Sequence, residues 1–546
     1  MRAGRIVVAG LLLGGLLAGG LIAALVTAAA PGPSATSASE LTGWLSGPTG
    51  PYLTDEHGRV VFLRGVNAVY KYAPFELYPA SGQPYNLSAK DAAEMSRLGF
   101  NVVRLGIIWQ GLEPGTAGPN DPAICDRGPA VDPRQFNAAI ADAYLDRVAK
   151  TVAVLARYHI YTLLDMHEDI YSSVFGGEGA PPWAVCTNGL PIRHLPGRWS
   201  NTYADPALDA ATVNFWTNDV RGDLQGQLDR VWKLVAEKFK DDSWVVGYDL
   251  INEPFSRSVI KVNEREVARR LECFYTGRAR PGRDALDGSL LRCPHRDPLE
   301  GVIPTIRSVD PRHLIFFEPD IFSSHNLPND LGPMNYHGLV FNFHVYCGYR
   351  SPVTGDPTNL TACVDQELRT MQRRRAERPG LATPAQPAGP PWFMSEFGAT
   401  QSVPLLLRLT DLGDEMQLGW TYWAWQYYDD PTGSAHEALV GPTGALEATA
   451  LVLSRAYPQA VAGIPLSFDY SPTTATFHLV YEADPAISSP TVVYVPVGVH
   501  YPRGYCATAA GATIVSAPNA THLLVTGGHG VVAVTVKQSG CQNLDG

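Results

Sequence analysis

Several signals that would mark a nucleic-acid, nucleotide or metal protein are missing from this 546-residue chain. Clustered Lys and Arg are absent and the formal net charge is −11, so there is no electrostatic footprint for a phosphate backbone. The single basic run, Arg373-Arg374-Arg375, sits in a polar stretch and reads as a solvated helix face. No Gly-rich turn follows the first strand-like segment, which removes the usual phosphate cradle of dinucleotide folds. The eight cysteines form no CxxC and no Cys/His spacing of a zinc site, so neither metal nor cofactor is assigned. Beyond the N-terminus no run is long and apolar enough to span a bilayer, and no internal repeat is evident. What remains is an acidic, soluble chain whose 45% hydrophobic share supports a large core.

The first 30 residues stand apart. Arg2 and Arg5 precede apolar residues from Ile6 to Ala30, with Ala28-Ala29-Ala30 as a small-residue cleavage candidate. The segment reads as a secretory signal peptide, and its length leaves an uncleaved N-terminal anchor as the alternative. Export would permit disulfides. Sequential pairing of Cys125–Cys186, Cys273–Cys293, Cys347–Cys363 and Cys506–Cys541 keeps each bridge local, although eight cysteines allow 105 pairings.

After a linker over 31–47, short apolar runs alternate with helical stretches as far as about residue 455. Eight strand candidates are Val60–Asn67, Asn101–Ile107, Tyr161–His167, Val245–Glu253, His313–Pro319, Leu339–Tyr346, Trp392–Phe397 and Trp420–Trp425. Ser88–Leu98, Ala143–Tyr158 and Gln225–Phe239 have helical periodicity, the first with a serine cap. Eight strand–helix units in series predict an α/β fold, a closed (β/α)8 TIM barrel over 48–457; a doubly wound open sheet is the runner-up. From 458 to 546 the pattern changes. Phe477, Leu479 and Tyr481 alternate with polar neighbours, and Thr491–Val497 and Val531–Val536 are further strand runs. These predict a C-terminal antiparallel β-sandwich.

The chemistry is carried by two glutamates. Glu253 lies in Asn252-Glu253-Pro254 and Glu396 in Ser395-Glu396-Phe397-Gly398, each at the end of an apolar strand run. Cleaving a glycosidic bond needs two carboxyl groups flanking the anomeric carbon, and the pair reads as a retaining glycosidase of the Asn-Glu-Pro type. A barrel gathers its active site where strand C-termini meet. The polar and aromatic residues there are Arg104, His167, Asp169, Asn252, Glu253, His344, Tyr346, Glu396, Trp423 and Trp425.

With these residues in place, the chain resembles glycoside hydrolase family 5 over roughly 48–455, and within it the endoglycoceramidase-like branch. Asn252-Glu253-Pro254, His344-x-Tyr346 and Ser395-Glu396-Phe397-Gly398 match the wider family. Leu164-Asp165-Met166-His167-Glu168-Asp169 with Tyr171-Ser172, and Arg64-Gly65-Val66-Asn67 with Tyr70-Lys71, point to the branch. Similar proteins commonly carry Gln where this chain has Glu168. The resemblance implies Glu253 as acid/base and Glu396 as nucleophile, with Arg104 and Tyr346 suited to hold Glu396 ionised and aimed, and substrate-site roles for Lys71, Arg104, His167, Asp169, Asn252, His344, Tyr346 and Trp423. It implies a secreted endo-β-glucosidase that frees oligosaccharide from ceramide in glycosphingolipids, in transient contact with a membrane or micelle surface. Apolar loops around Tyr72, Phe75, Phe175 and Trp183 are expected to form the lipid side. The alternatives are a β-glucosidase of glucosylceramide or steryl glucosides, a family 5 endo-β-glucanase, and a non-catalytic glycan-binding protein.

Overall fold

The computed structural model of the protein describes residues 43–538, apart from 48–49, 82–84, 129–135, 196–197, 257–263, 279–292, 294–300, 330, 352–353 and 434–435. Both readings of the N-terminal apolar segment fall outside these residues. No helix among the described residues is long and apolar enough to cross a membrane.

Eight parallel strands close into a barrel: β1 (Arg64–Ala68), β2 (Val102–Ile107), β3 (Tyr161–Met166), β4 (Val245–Asp249), β5 (Leu314–Phe317), β6 (Leu339–Val345), β7 (Trp392–Phe397) and β8 (Gly419–Tyr422). β8 pairs with β1 through Trp420↔Arg64, Thr421↔Gly65 and Tyr422↔Val66, which completes the ring. Nearly every barrel-strand residue is buried, because the barrel lumen covers one face and the surrounding helices the other. That double burial is why these strands read as continuous apolar runs. The helix after β1, Ala89–Arg97, starts at a Ser88–Asp91 capping box, in which each side chain accepts from the other residue's backbone N–H.

The first expected strand, Val60–Asn67, is divided in the structure. Val60–Val61 pairs with Tyr457–Val461, and Phe62 N–H donates to Gln459 O at 3.2 Å. The chain enters the barrel only at Arg64. An apolar β-branched run looks the same whichever sheet receives it, so composition could not place this break.

Two antiparallel sheets follow the barrel. One has seven strands, in the order Leu45–Ser46, Leu53–Asp55, Val60–Val61, Tyr457–Val461, Thr491–Tyr494, His522–Thr526 and Thr513–Ile514. The other orders Gly463–Ser471, Thr476–Ala483, Gly530–Lys537 and Cys506–Ala510. Between them Phe468, Phe477, Leu479, Tyr481, Val493, Val525, Val532 and Val534 form one buried cluster. On its opposite face the seven-stranded sheet presents Val61, Ala460 and Val492 to Leu63, Val102, Leu163, Leu314, Phe316 and Phe393 at the base of the barrel. Thus three strands from residues 45–61 complete a sheet that otherwise belongs to the C-terminal region.

Cys125–Cys186, Cys273–Cys293 and Cys347–Cys363 are disulfide-bonded. The fourth expected pair includes Cys541, which lies outside the described residues.

Candidate active site

The C-terminal ends of the barrel strands surround a cavity of about 1040 Å³. Of the residues expected there, Lys71, His167, Asp169, Asn252, Glu253, Tyr346, Glu396 and Trp423 line it. Arg104 and His344 do not. They are buried and contact the two glutamates, Arg104 at Glu396 and His344 at Glu253.

Glu396, at the end of β7, is held from two sides. Arg104 Nη1 donates to its Oε1 at 2.6 Å, and Tyr346 OH donates to its Oε2 at 2.9 Å. Glu253 Oε1 lies 2.8 Å from His344 Nδ1, and His344 Nδ1 is 3.5 Å from Glu396 Oε2. An oxygen of Glu253, an oxygen of Glu396 and a nitrogen of His344 all fall within 4.8 Å of one another. A nucleophile that attacks the anomeric carbon directly needs its partner about 5–5.5 Å away, whereas admitting a water between them takes about 6.5–9.5 Å. The two carboxyl groups are at the short spacing.

Arg104 is the hub under the site. Its guanidinium also reaches Asp249 Oδ2 (2.8 Å), Asp165 Oδ1 (2.9 Å), Asn252 Oδ1 (2.9 Å) and Glu318 Oε1 (3.1 Å). Burial alone would lower its affinity for a proton, but Asp165, Asp249, Glu396 and Glu318 outweigh that and hold it charged. Burial raises the Glu396 pKa, with the Glu253 carboxylate adding to the rise while His344 and Arg104 oppose it. For His344 burial opposes the charged form, yet Glu318, Glu396 and a hydrogen bond to Glu253 hold its pKa well above the usual imidazole value.

A second cluster lines the same cavity. Lys71 Nζ donates to Asp169 Oδ2 at 2.6 Å and to Thr432 Oγ1 at 2.5 Å, and lies 4.7 Å from the centre of the Trp423 ring. His167 stacks on Trp423, with centroids 5.2 Å apart, and shares a proton with Asp165 Oδ2 at 2.7 Å. Burial works against a charge on His167, but Asp165 and Asp169 push its pKa up to about 10. Burial likewise opposes ionisation of Asp169, which Lys71 and His167 overcome, so its carboxyl stays well below its ordinary value. Cations, carboxylates and one aromatic face around a pocket suit a sugar, with hydroxyls at its edge and C–H groups on its face. Glu168, the departure noted in the sequence, points away from this pocket. Burial raises its carboxyl to about 8, and its Oε2 accepts from Tyr171 N at 2.7 Å.

The expected lipid-side loops are elsewhere. Phe75, Phe175 and Trp183 are only 8%, 2% and 0% exposed and line no part of the cavity. Trp183 packs edge-on against Trp109 and donates its indole N–H to Glu113 O. These aromatics pack the core beneath the loops, since large rings gain more from full burial than from a place at a solvated mouth. Tyr72 is exposed but leans on Tyr70 and Tyr428 outside the cavity lining. Besides Tyr346 and Trp423, the aromatics that line it are Trp199, Tyr203, Phe255 and Phe322, which make a continuous wall with centroid spacings of 6.2, 4.7 and 6.1 Å. Sequence reading missed them because Trp199 and Tyr203 sit in a 3-10 helix, Trp199–Ala204, too short to show periodicity. It also missed Glu318, though Glu318-Pro319 after an apolar strand repeats the Glu253-Pro254 pattern.

A (β/α)8 barrel with paired carboxylates at retaining distance in a cavity lined by polar groups and an aromatic face defines a retaining glycosidase. Comparison with known proteins agrees. Residues 54–429 match the cellulase family, glycosyl hydrolase family 5, and residues 455–537 match the glycoside hydrolase family 5 C-terminal domain. The chain belongs to glycoside hydrolase family 5. It is 29% identical over 511 residues to endoglycoceramidase I of Rhodococcus hoagii (strain 103S), covering 90% of this chain and 88% of that protein. It is 27% identical over 482 residues to the endoglycoceramidase of Hydra vulgaris, covering 83% and 80%. Among solved structures, endo-glycoceramidase II from Rhodococcus sp. in complex with ganglioside GM3 superposes with a TM-score of 0.68 at 25% identity, covering 90% of this chain and all of that one.

Proposed function

We propose that this protein is a secreted endo-acting β-glucosidase that hydrolyses the bond between oligosaccharide and ceramide in glycosphingolipids. Glu396 serves as the nucleophile and Glu253 as the acid/base. The observation that carries the roles is the short spacing of the two carboxyl groups combined with their unequal surroundings. Glu396 has Arg104 and the Tyr346 hydroxyl to favour its anion, while Glu253 reaches the cavity beside the aromatic wall where a leaving group would sit. In the first step Glu396 attacks the anomeric carbon as Glu253 gives its proton to the departing oxygen, leaving a glycosyl ester on Glu396. Water then attacks that ester while Glu253, now ionised, takes its proton. Asn252 is placed for the sugar 2-hydroxyl, and Trp423 with Lys71, His167 and Asp169 for the rest of the ring.

The lipid reading rests on Trp199, Tyr203, Phe255 and Phe322 as one apolar wall beside Glu253, and on the relatives' names. Arg198 Nη2 donates to Arg350 O at 3.2 Å, which joins the loop after β3 to the loop after β6 at the rim of the same cavity. Three disulfides support an extracellular setting. The deciding experiment incubates the purified protein with a glycosphingolipid panel, glucosylceramide, a steryl glucoside and carboxymethyl-cellulose. Release of intact oligosaccharide and ceramide is expected. Activity confined to monoglucosides, or highest on cellulose, would replace the substrate while leaving the chemistry. A 2-fluoro glycoside should label Glu396; label on another carboxylate would reassign the roles.

A further inference from the structure

Glu318, one residue past β5, has no role in the readings above, yet it closes a ring with the two groups that matter for acid catalysis. Its Oε2 accepts the backbone N–H of Glu253 at 3.0 Å. Its Oε1 lies 3.0 Å from His344 Nε2, and His344 Nδ1 lies 2.8 Å from Glu253 Oε1. One carboxylate therefore accepts from the main chain of the acid/base and forms an ion pair with the imidazole that touches its side chain. Glu253 has φ 41°, in the left-handed region, which is strained for a residue that carries a side chain. Glu318 is itself fixed by Arg104 Nη2 at 3.1 Å and Asn342 Nδ2 at 3.2 Å and is only 3% exposed.

We propose that Glu318 is a positioning residue for Glu253: it holds the strained Glu253 backbone and keeps His344 a donor on Nδ1, so that Glu253 Oε1 is always an acceptor and the catalytic proton rides on Oε2. This rests on the assignment of Glu253 as acid/base. The groups facing His344 are Glu318 just after β5, Glu253 in the loop after β4, Glu396 from β7 and the Tyr346 ring edge-on at 6.4 Å; Arg104 acts on the ring of charges through Glu318 and Glu396. Among these the only cation is Arg104, so the imidazolium is neutralised by carboxylates, and Glu318 is the one that binds its far nitrogen. Burial opposes charge on His344 but these carboxylates prevail, and Glu318 itself is held ionised against burial by His344 and Arg104.

The test compares kcat/KM for a glycoside with a poor leaving group against one with a dinitrophenol leaving group, which departs without a proton. Glu318→Gln should lose about 10- to 100-fold on the poor leaving group, part of the ~10²–10⁴-fold that general acid catalysis supplies, and far less on the activated one. Without the Glu318 charge His344 gives up its proton sooner, so the alkaline limb on the poor leaving group should move down by about one pH unit. Glu318→Asp, which keeps the charge at shorter reach, should keep the limb in place while losing rate. Equal losses on both substrates with an unmoved limb would reduce Glu318 to a structural part and overturn the proposal, as would parent activity in Glu318→Gln. If Glu318→Gln does not fold, the leaving-group comparison in Glu318→Asp decides: a loss confined to the poor leaving group supports the proposal and an even loss ends it. Failure of the underlying reading shows separately, as a Glu253→Ala enzyme that azide does not rescue on the activated substrate.

Discussion

The two ends of the barrel are built from the same eight strands and have different contents. At the base, Leu63, Val102, Leu163, Leu314, Phe316 and Phe393 meet Val61, Ala460 and Val492 of the seven-stranded sheet, and charges buried next to them are paired, Arg59 with Asp55 and Arg64 with Asp414. At the top, a few residues further along each strand, Arg104, Asp165, Asp249, Glu318, His344 and Glu396 crowd under an open cavity. Burying apolar surface at the base stabilises by about 25 cal/mol per Å² without needing any partner geometry. Burying charges is favourable only if every one is matched, so the top is ordered mainly by pairing and the base mainly by fit. Stability and chemistry are thereby separated along the strands, and mutations at the two ends should fail in different ways.

The largest effect is expected at the top. Glu396→Gln and Glu253→Gln should each lower kcat on natural substrate by at least about 10³-fold. The Glu396→Gln protein should nevertheless be at least as resistant to denaturant as the parent at neutral pH. The sign follows from the raised pKa of Glu396: the folded state holds this proton to higher pH than the unfolded chain, so its contribution is full below the unfolded value and lost as pH rises through the folded one. A sharp loss of stability in Glu396→Gln would dissolve the contrast between the ends.

The complementary change is at the base. Phe316→Ala, which deletes a fully buried ring packed edge-on to Phe393 at 5.7 Å, should cost about 3–5 kcal/mol in urea unfolding. Turnover per folded molecule should stay near the parent value. A variant as stable as the parent would mean that the sheet does not seal the base as described.

Phe255→Ala and Phe322→Ala sharpen the comparison within the top, between the charged wall and the aromatic one. Losing one ring from a lipid contact of about 1.5–3 kcal/mol should lower kcat/KM on a ceramide glycoside about ten- to a hundred-fold. A small aryl glycoside should lose much less, and equal losses would make the aromatic wall a packing element.

The smallest effect is a shift in pH dependence. Because Glu396 must be ionised to attack and its pKa is raised, kcat/KM should fall on the acid side at a pH above 4.5, the ordinary value for a glutamate. Tyr346→Phe removes a donor to the ionised form, so that limb should move upward by about half a unit. A limb that moves down would show that Tyr346 does not stabilise the anion.

Both glutamates and the Arg104, His344 and Tyr346 set were legible because each ends or lies in a short apolar run, and a parallel barrel delivers strand ends to one place. Glu318 obeys the same rule and was open to the same reading. Asp430 and Thr432, which help hold Lys71, lie in a loop without periodicity and carry no such mark. The aromatics went astray for a different reason. Phe75, Phe175 and Trp183 have the composition of a lipid surface, but composition does not tell a ring that faces solvent from one that faces a helix.

The sequence by itself determined the alternation of strand and helix, the two carboxylates and their strand-end settings, since these are local patterns set by hydrophobic periodicity and by the chemistry each residue type can do. Only the tertiary structure decided that Val60–Val61 leaves the barrel for the C-terminal sheet, that Arg104 and His344 contact the two glutamates without lining the cavity, and that Phe255 and Phe322 rather than Phe75 and Trp183 face the cavity. The physical reason is the same in each case. Hydrogen-bond registry between strands and the packing of rings depend on what arrives from hundreds of residues away, and no window along the chain contains both partners.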